Sequence, residues 1–430
     1  MAGISAFRNL DKGLYIQSDI TESCNEKIEP VNDPNSTEVV FIISSSGEFY
    51  YELSGTDIEV HFRVRRKENH RLFSLTDADK VSIFNYVGGT LWKQLRVELN
   101  DDPISSTHMN YAHRAYMEVL LDYGDDAANT WLKTGGLIKD TAGKHDVYDP
   151  TAADGNEGLK ERAKFLKGSR IMKVRSQIHA DIFKSERPLL NNMKLKMTMT
   201  RNTHKYVLIS DEDDKKYEIE ITKMCLNIRR VKPSPELLLE NASLKLIIYP
   251  IVRVKKTTEI INANITSRSI TILTDEYLPS KLFFAFYKNS SDTSKQKDNP
   301  LKYHHFNLSR ATLKAGPEIY GDLQMNFGTD PPDYVDAYES ISNPRGASYR
   351  WLNNGGQIKE HEYSGGYSIF GFNLSTSLLG EDYKDKSRRD NLTLDLEWHI
   401  ATPETLTIIF YMERDDEIIF SDNKVISSIE

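Results

Sequence analysis

Tyr303-His304-His305 is the densest histidine cluster in the 430-residue chain, and paired imidazoles are the first place to look for a metal. On an extended segment, adjacent side chains point to opposite faces. His304 and His305 therefore do not converge on one ion and read as surface or interface residues. The two cysteines, Cys24 and Cys225, are too few for a disulfide framework and form no Cys-x-x-Cys zinc pair. One disulfide between them stays open, and such low cysteine use fits a reducing compartment, cytosol or nucleus. The acidic runs Asp211-Glu212-Asp213-Asp214 and Asp415-Asp416-Glu417 lack the spaced oxygens and tight glycine turn of a Ca²⁺ loop. Solvated hairpin turns are expected there, with an inter-subunit charge contact as the alternative. No Walker-type phosphate loop, dinucleotide-binding glycine motif or His-Glu-x-x-His zinc motif occurs.

A glycosidase carboxylate pair is the enzyme chemistry that 63 acidic residues would allow, yet no feature singles out two of them. The expectation is no catalytic residue, no metal ligand and no cofactor. The basic clusters Arg65-Arg66-Lys67, Arg229-Arg230, Lys255-Lys256 and Arg388-Arg389 are short and lack interleaved aromatics, so each reads as a solvated face. A net charge of -8 argues against a whole face built for phosphate backbone. The N-terminus has no long apolar core of a signal peptide, and no window is apolar enough for a membrane-spanning helix.

These residues must be positioned by strands. Asp57 to Arg65 and Lys194 to Thr200 alternate polar and apolar residues, the mark of half-buried strands. Similar runs recur at Glu38 to Ile43, Leu91 to Leu99, Ser176 to Phe183, Tyr217 to Val231 and, in the second half, Leu244 to Val254, Leu282 to Tyr287, Tyr367 to Leu374, Leu392 to Ile400, Leu406 to Glu413 and Glu417 to Phe420. Met109 to Tyr123 instead shows helical spacing through Ala112, Ala115, Tyr116, Val119 and Leu120. Residues 134–170 read as a long exposed insertion with a short helix near Leu159 to Phe165. Pro233 and Pro235 mark a boundary. The expected organisation is an N-terminal arm over 1–37, a first jelly roll over 38–235 and a second over 236–430. The fold class is all-β, a double jelly-roll of two consecutive eight-stranded sandwiches with short helices in loops.

Gln177-Ile178-His179-Ala180-Asp181-Ile182-Phe183 followed by Arg187-Pro188-Leu189-Leu190-Asn191-Asn192 resembles the major capsid proteins of Polinton (Maverick) elements and adintoviruses. Further segments resemble them in the same order: Gly47 to Leu53, Asn110 to Tyr123, Arg229 to Pro235, Asn299 to Phe306 and Gly365 to Leu374. Ala180 and Asn192 stand where that family leads one to expect glycine, and 1–37 shows no clear similarity. The resemblance implies a building block of an icosahedral double-stranded DNA virus. Three subunits would present six similar towers as a pseudo-hexagonal capsomer, a homotrimer meeting neighbouring capsomers and penton or minor capsid proteins. Its location would be the virion, after assembly in the host nucleus or cytoplasm. Segments 134–170 and 289–300 would be tower tops or trimer clasps, and converging basic clusters would contact packaged DNA non-specifically. A glycosidase or carbohydrate-binding β-sandwich is the alternative reading. Whether the gene is viral or a host-domesticated copy stays open.

Overall fold

The computed structural model describes residues 18–44, 47–105, 110–212, 215–290, 299–342, 344, 356–375, 388–421 and 424–427. Strands of the first half are β1 (Ile20–Ile28), β2 (Glu38–Ser44), β3 (Tyr50–Glu68), β4 (Arg71–Ser74), β5 (Val81–Ile83), β6 (Trp92–Leu99), β7 (Asp102–Pro103), β8 (Met172–Gln177), β9 (Lys194–Arg201), β10 (Leu208–Ser210) and β11 (Lys216–Pro233). Those of the second are β12 (Ile247–Ile261), β13 (Ser267–Tyr277), β14 (Lys281–Lys288), β15 (Leu308–Ala315), β16 (Glu318–Gln324), β17 (Ile369–Asn373), β18 (Arg389–Trp398), β19 (Leu406–Ser421) and β20 (Lys424–Ser427). The longer helices are α1 (Tyr111–Asp122), α2 (Glu157–Leu166) and α3 (Pro235–Ala242).

The two halves repeat one topology. In the first, β1-β11-β3-β8 form one sheet and β2-β9-β6-β7 the other. In the second, β12-β19-β14-β17 and β13-β18-β15-β16 do the same, strand for strand. All of these pairings are antiparallel. Each half is thus an eight-stranded sandwich, to which β4, the β5–β10 pair and β20 are additions.

This register corrects the expected arm. Residues 20–28 are not a free extension but β1, the first strand of the first sandwich, paired with β11 from Ile20↔Pro233 to Ile28↔Leu226. The sequence hid it because β1 is an edge strand with little core beneath it. None of its side chains is buried, so Thr21, Glu22, Asn25 and Glu26 carry no apolar period. Residues 1–17 lie outside the described part, as do 291–298 of the second expected insertion.

Most inner strands keep the alternation that one buried face demands. Val39, Phe41 and Ile43 of β2, and Leu392, Leu394, Leu396 and Trp398 of β18, point into the cores. β14 and β19 break the rule. Leu282 to Tyr287 and Leu406 to Glu413 are buried without interruption. An antiparallel sheet reads that way only when both of its faces are covered. One face, with Phe284 and Phe286, packs inward, where Phe284 stacks on Phe370 with ring centroids 4.9 Å apart. The other, with Tyr287, Thr407, Ile409 and Tyr411, faces the first half.

Asp415-Asp416-Glu417 lies within β19, not in a turn, because β12 pairs with it continuously from Ile247 to Ile261. Cys24 and Cys225 are free thiols. Asn192 does adopt φ 63°, a backbone that favours glycine, whereas Ala180 is extended at φ -136°.

Phe284→Ala should open a cavity at the centre of the second sandwich. A loss of about 3–5 kcal/mol is expected, measured as a fall in the denaturant midpoint; an unchanged midpoint would contradict the packing described.

Candidate functional site: the buried junction between the sandwiches

α1 fills the space between the halves. Every residue from Tyr111 to Leu121 is buried, including His113, Arg114 and Glu118. A helix buried all round is expected to be apolar, so its charges must be answered locally. Arg114 and Glu118 are four residues apart and meet on one face, Arg114 Nε donating to Glu118 Oε1 at 2.8 Å. Tyr411 of β19 donates its hydroxyl to the same oxygen at 3.1 Å. His179 Nδ1 lies 2.7 Å from Glu118 Oε2, and Lys184 Nζ 3.1 Å from it. Arg114 Nη2 donates to Asp181 Oδ1 at 2.7 Å. From the second half, Arg253 Nη1 stands 4.0 Å from Asp181 Oδ2 while its Nε donates to Asp416 at 2.5 Å.

The segment after β8 supplies the partners. The strand expected through Phe183 ends at Gln177. A 3₁₀ turn over Asp181–Lys184 then swings His179, Asp181 and Lys184 under α1. Tyr86 is hydrogen-bonded through its hydroxyl to the other nitrogen of His179 at 2.9 Å.

Burial alone would raise the Glu118 pKa. Lys184, Arg114 and His179 reverse this and hold it well below the ordinary carboxylate range. Burial pushes His113 down to about 3, with Lys256 adding to it. Burial and then Arg114 bring Lys256 down to about 7, against the pull of Glu118 and Asp181. The sequence places Lys256 in a solvated basic pair. In fact it sits opposite Tyr411 in the β12–β19 register, on the sheet face that α1 covers.

A second set of contacts joins segment 134–170 to residues 356–368. Tyr367 donates its hydroxyl to the Asp140 carbonyl at 2.8 Å, and Gly143 N–H to Gly365 O at 2.7 Å. Lys139 pairs with Glu362, and Gln357 Nε2 reaches beyond the segment to donate to Val119 O of α1 at 2.7 Å. The expectation of an exposed insertion is therefore corrected. The helix near 159–165 is there as α2, but Arg162 is fully buried, bonding the carbonyls of Ile83 and Ile138 and, at 2.6 Å, the Asp140 carboxylate. Glycine serves close approach here: a Cβ at Gly158 would lie 2.1 Å from Lys139 O.

Tyr303-His304-His305 is not one strand. Tyr303 is buried against His113, while His304 packs at a tilt against Phe306 and His305 stacks on Phe327. Among the described residues no group of three or more His, Cys, Asp or Glu side chains is placed to hold a metal ion. The basic clusters do not converge either. Arg65 pairs with Glu220, Arg66 with Asp79, Lys67 with Glu218, Arg229 with Glu52, Arg230 with Glu26, Lys255 with Glu276 and Arg388 with Glu318. The sequence alone singled out none of the junction residues as a site. The one available signal was the Arg114/Glu118 spacing inside a helix otherwise made for a core.

No family model matches the chain. An uncharacterised protein of Caenorhabditis elegans is 20% identical over 427 residues, covering 95% of this chain and 99% of its own length. Among solved structures, the chain is similar to one in the 3.5 Å cryo-EM structure of the Sputnik virophage, at 12% identity and TM-score 0.64, over 97% of this chain and 90% of that one. The mavirus major capsid protein matches at 12% identity and TM-score 0.55, over 98% and 93%. The Faustovirus major capsid protein matches at 9% and 0.56, over 95% and 92%. At such identities the likeness is one of fold, and with the repeated strand order it makes this chain a double jelly-roll.

Glu118→Gln should cost about 3–5 kcal/mol, because Arg114 and Lys184 lose their buried counter-charge; equilibrium denaturation would read it. Lys256→Met should do the opposite. The folded pKa near 7 lies below the ordinary 10.5, so the folded state binds fewer protons between these values. Stability then rises with pH across that window, and the penalty is full below it. Replacement by Met should add about 1–3 kcal/mol at neutral pH and flatten thermal stability between pH 7 and 10. A decrease at pH 7 would refute the assignment.

Proposed function

We propose that the chain is a major capsid protein of the Polinton and adintovirus kind, trimerising into pseudo-hexagonal capsomers of an icosahedral double-stranded DNA virus shell. One observation carries this reading: two sandwiches of identical strand order are locked side by side by a charged, buried junction. One chain then offers two similar β-towers as a rigid pair, and three chains related by a threefold axis offer six. Closed cyclic symmetry ends the trimer at three, and weaker contacts between trimers tile the shell. An obligate trimer should bury thousands of Å².

The ordered sequence segments that resemble that family support this reading, as do structural neighbours that are themselves major capsid proteins. Further partners on this reading are neighbouring capsomers and penton or minor capsid proteins, and the destination is the virion. Non-specific contact with packaged DNA would have to come from charges other than the paired basic clusters.

The glycosidase alternative needs a carboxyl held protonated as general acid. The carboxyls of Glu59, Asp79, Glu118, Asp140 and Asp322 are all shifted down. That disfavours acid catalysis, and we propose no enzymatic role.

Size-exclusion chromatography with light scattering tests the reading. A species of three chain masses, or larger particles visible by negative stain, is expected. A monodisperse monomer at every concentration would overturn it.

A further inference from the structure

The linker between the sandwiches leaves an apolar groove open. α3 begins with Ser234 as its cap, Oγ accepting from Leu237 N at 3.2 Å, and with Pro235 at its first turn. Its sequence, Pro-Glu-Leu-Leu-Leu-Glu-Asn-Ala, is rich in leucine, yet none of its residues is buried. Within it Leu239 is 75% exposed, and beside it Leu244 is 48%, Leu246 47% and Ile20 41% exposed. Together with Leu190, Leu237 and Tyr249, most of these surround a cavity of about 600 Å³. Contiguous exposed apolar surface of this kind marks a docking site.

Where the chain leaves this groove points to the occupant. Asp19 and Ile20 are themselves part of its wall. Ser234 N–H donates to Asp19 O at 2.7 Å, so the start of β1 is pinned to the start of α3. Seventeen residues precede the described part, and they emerge at this spot. Their sequence, Met-Ala-Gly-Ile-Ser-Ala-Phe-Arg-Asn-Leu-Asp-Lys-Gly-Leu-Tyr-Ile-Gln, puts Ile4, Phe7, Leu10 and Leu14 at intervals of three, three and four. Such spacing lines one apolar face. It is an apolar stripe of matching character, tethered at the edge of the groove.

We propose that residues 1–17 of this chain dock by their Ile4-Phe7-Leu10-Leu14 stripe into the groove formed by α3, Leu244–Tyr249 and the start of β1. The proposal stands apart from the capsid reading, since it concerns a groove present in each single chain.

Disulfide trapping in the full-length chain tests it. In a Cys24→Ser background, Phe7→Cys combined with Leu246→Cys should form a bond under mild oxidation, mapped by peptide mass. The link is expected within one chain; a link found only between two copies would overturn the proposal. Single-cysteine controls should give none. As a second measurement, Phe7→Asp/Leu10→Asp should raise amide exchange across residues 237–248 by about tenfold, leaving β14 and β18 protected. Absence of the cross-link with both thiols reactive, or unchanged exchange over 237–248, would overturn the proposal. The oligomer mass, read separately, distinguishes this failure from failure of the capsid reading.

Discussion

The Glu118 carboxylate is the point on which the arrangement of the two sandwiches turns. It accepts from Arg114 within its own helix, from His179 and Lys184 of the same half, and from Tyr411 of the other half. A buried charge tolerates little displacement of its partners, because each lost hydrogen bond leaves an unsolvated group. The helix, the 3₁₀ turn after β8 and the outer face of the β12-β19-β14-β17 sheet are thus held in one geometry. An apolar contact of the same size would resist separation but not sliding.

The composition of the strands follows from that geometry. β14 and β19 could be continuously apolar because α1 lies over the face that would otherwise meet water. The outer face is not wholly apolar, however. Lys256, Tyr411 and Glu413 sit there in register, answering the charges of the helix. Histidines at the junction are held neutral by burial, with His113 near 3, so positive charge at the centre is left to Arg114, Lys184 and Arg253. Buried ionic sets of this kind contribute orientation more than net stability. For a chain whose two towers must act as one body, orientation is the property that matters.

The surface shows the complementary pattern. Basic residues are matched by acids of neighbouring strands, as Arg63 and Arg65 are by Glu220. Such exposed pairs add little energy each. Leu239, Leu244 and Leu246 in and beside α3 are the opposite case, apolar side chains left exposed.

Much of the fold was legible in the residues. Alternation marked β3 and β9, a short β-branched apolar run marked β2, helical spacing marked α1, and Pro233 and Pro235 marked the break after β11, because each depends on local periodicity, composition or backbone chemistry. β1 escaped notice because an edge strand buries nothing. The acidic run at 415–417 looked like a turn because only β12, some 160 residues distant in sequence, extends β19 through it. The 134–170 segment looked exposed because its glycines and charges carry no sign of the neighbour that buries them. Sequence alone therefore determined most of the inner strands and that the chain holds two similar β-rich halves. Tertiary structure alone decided that Arg114, Glu118, His179, Asp181, Arg253 and Tyr411 meet, since burial of a charge is set by partners distant in the chain and leaves no periodic trace in it.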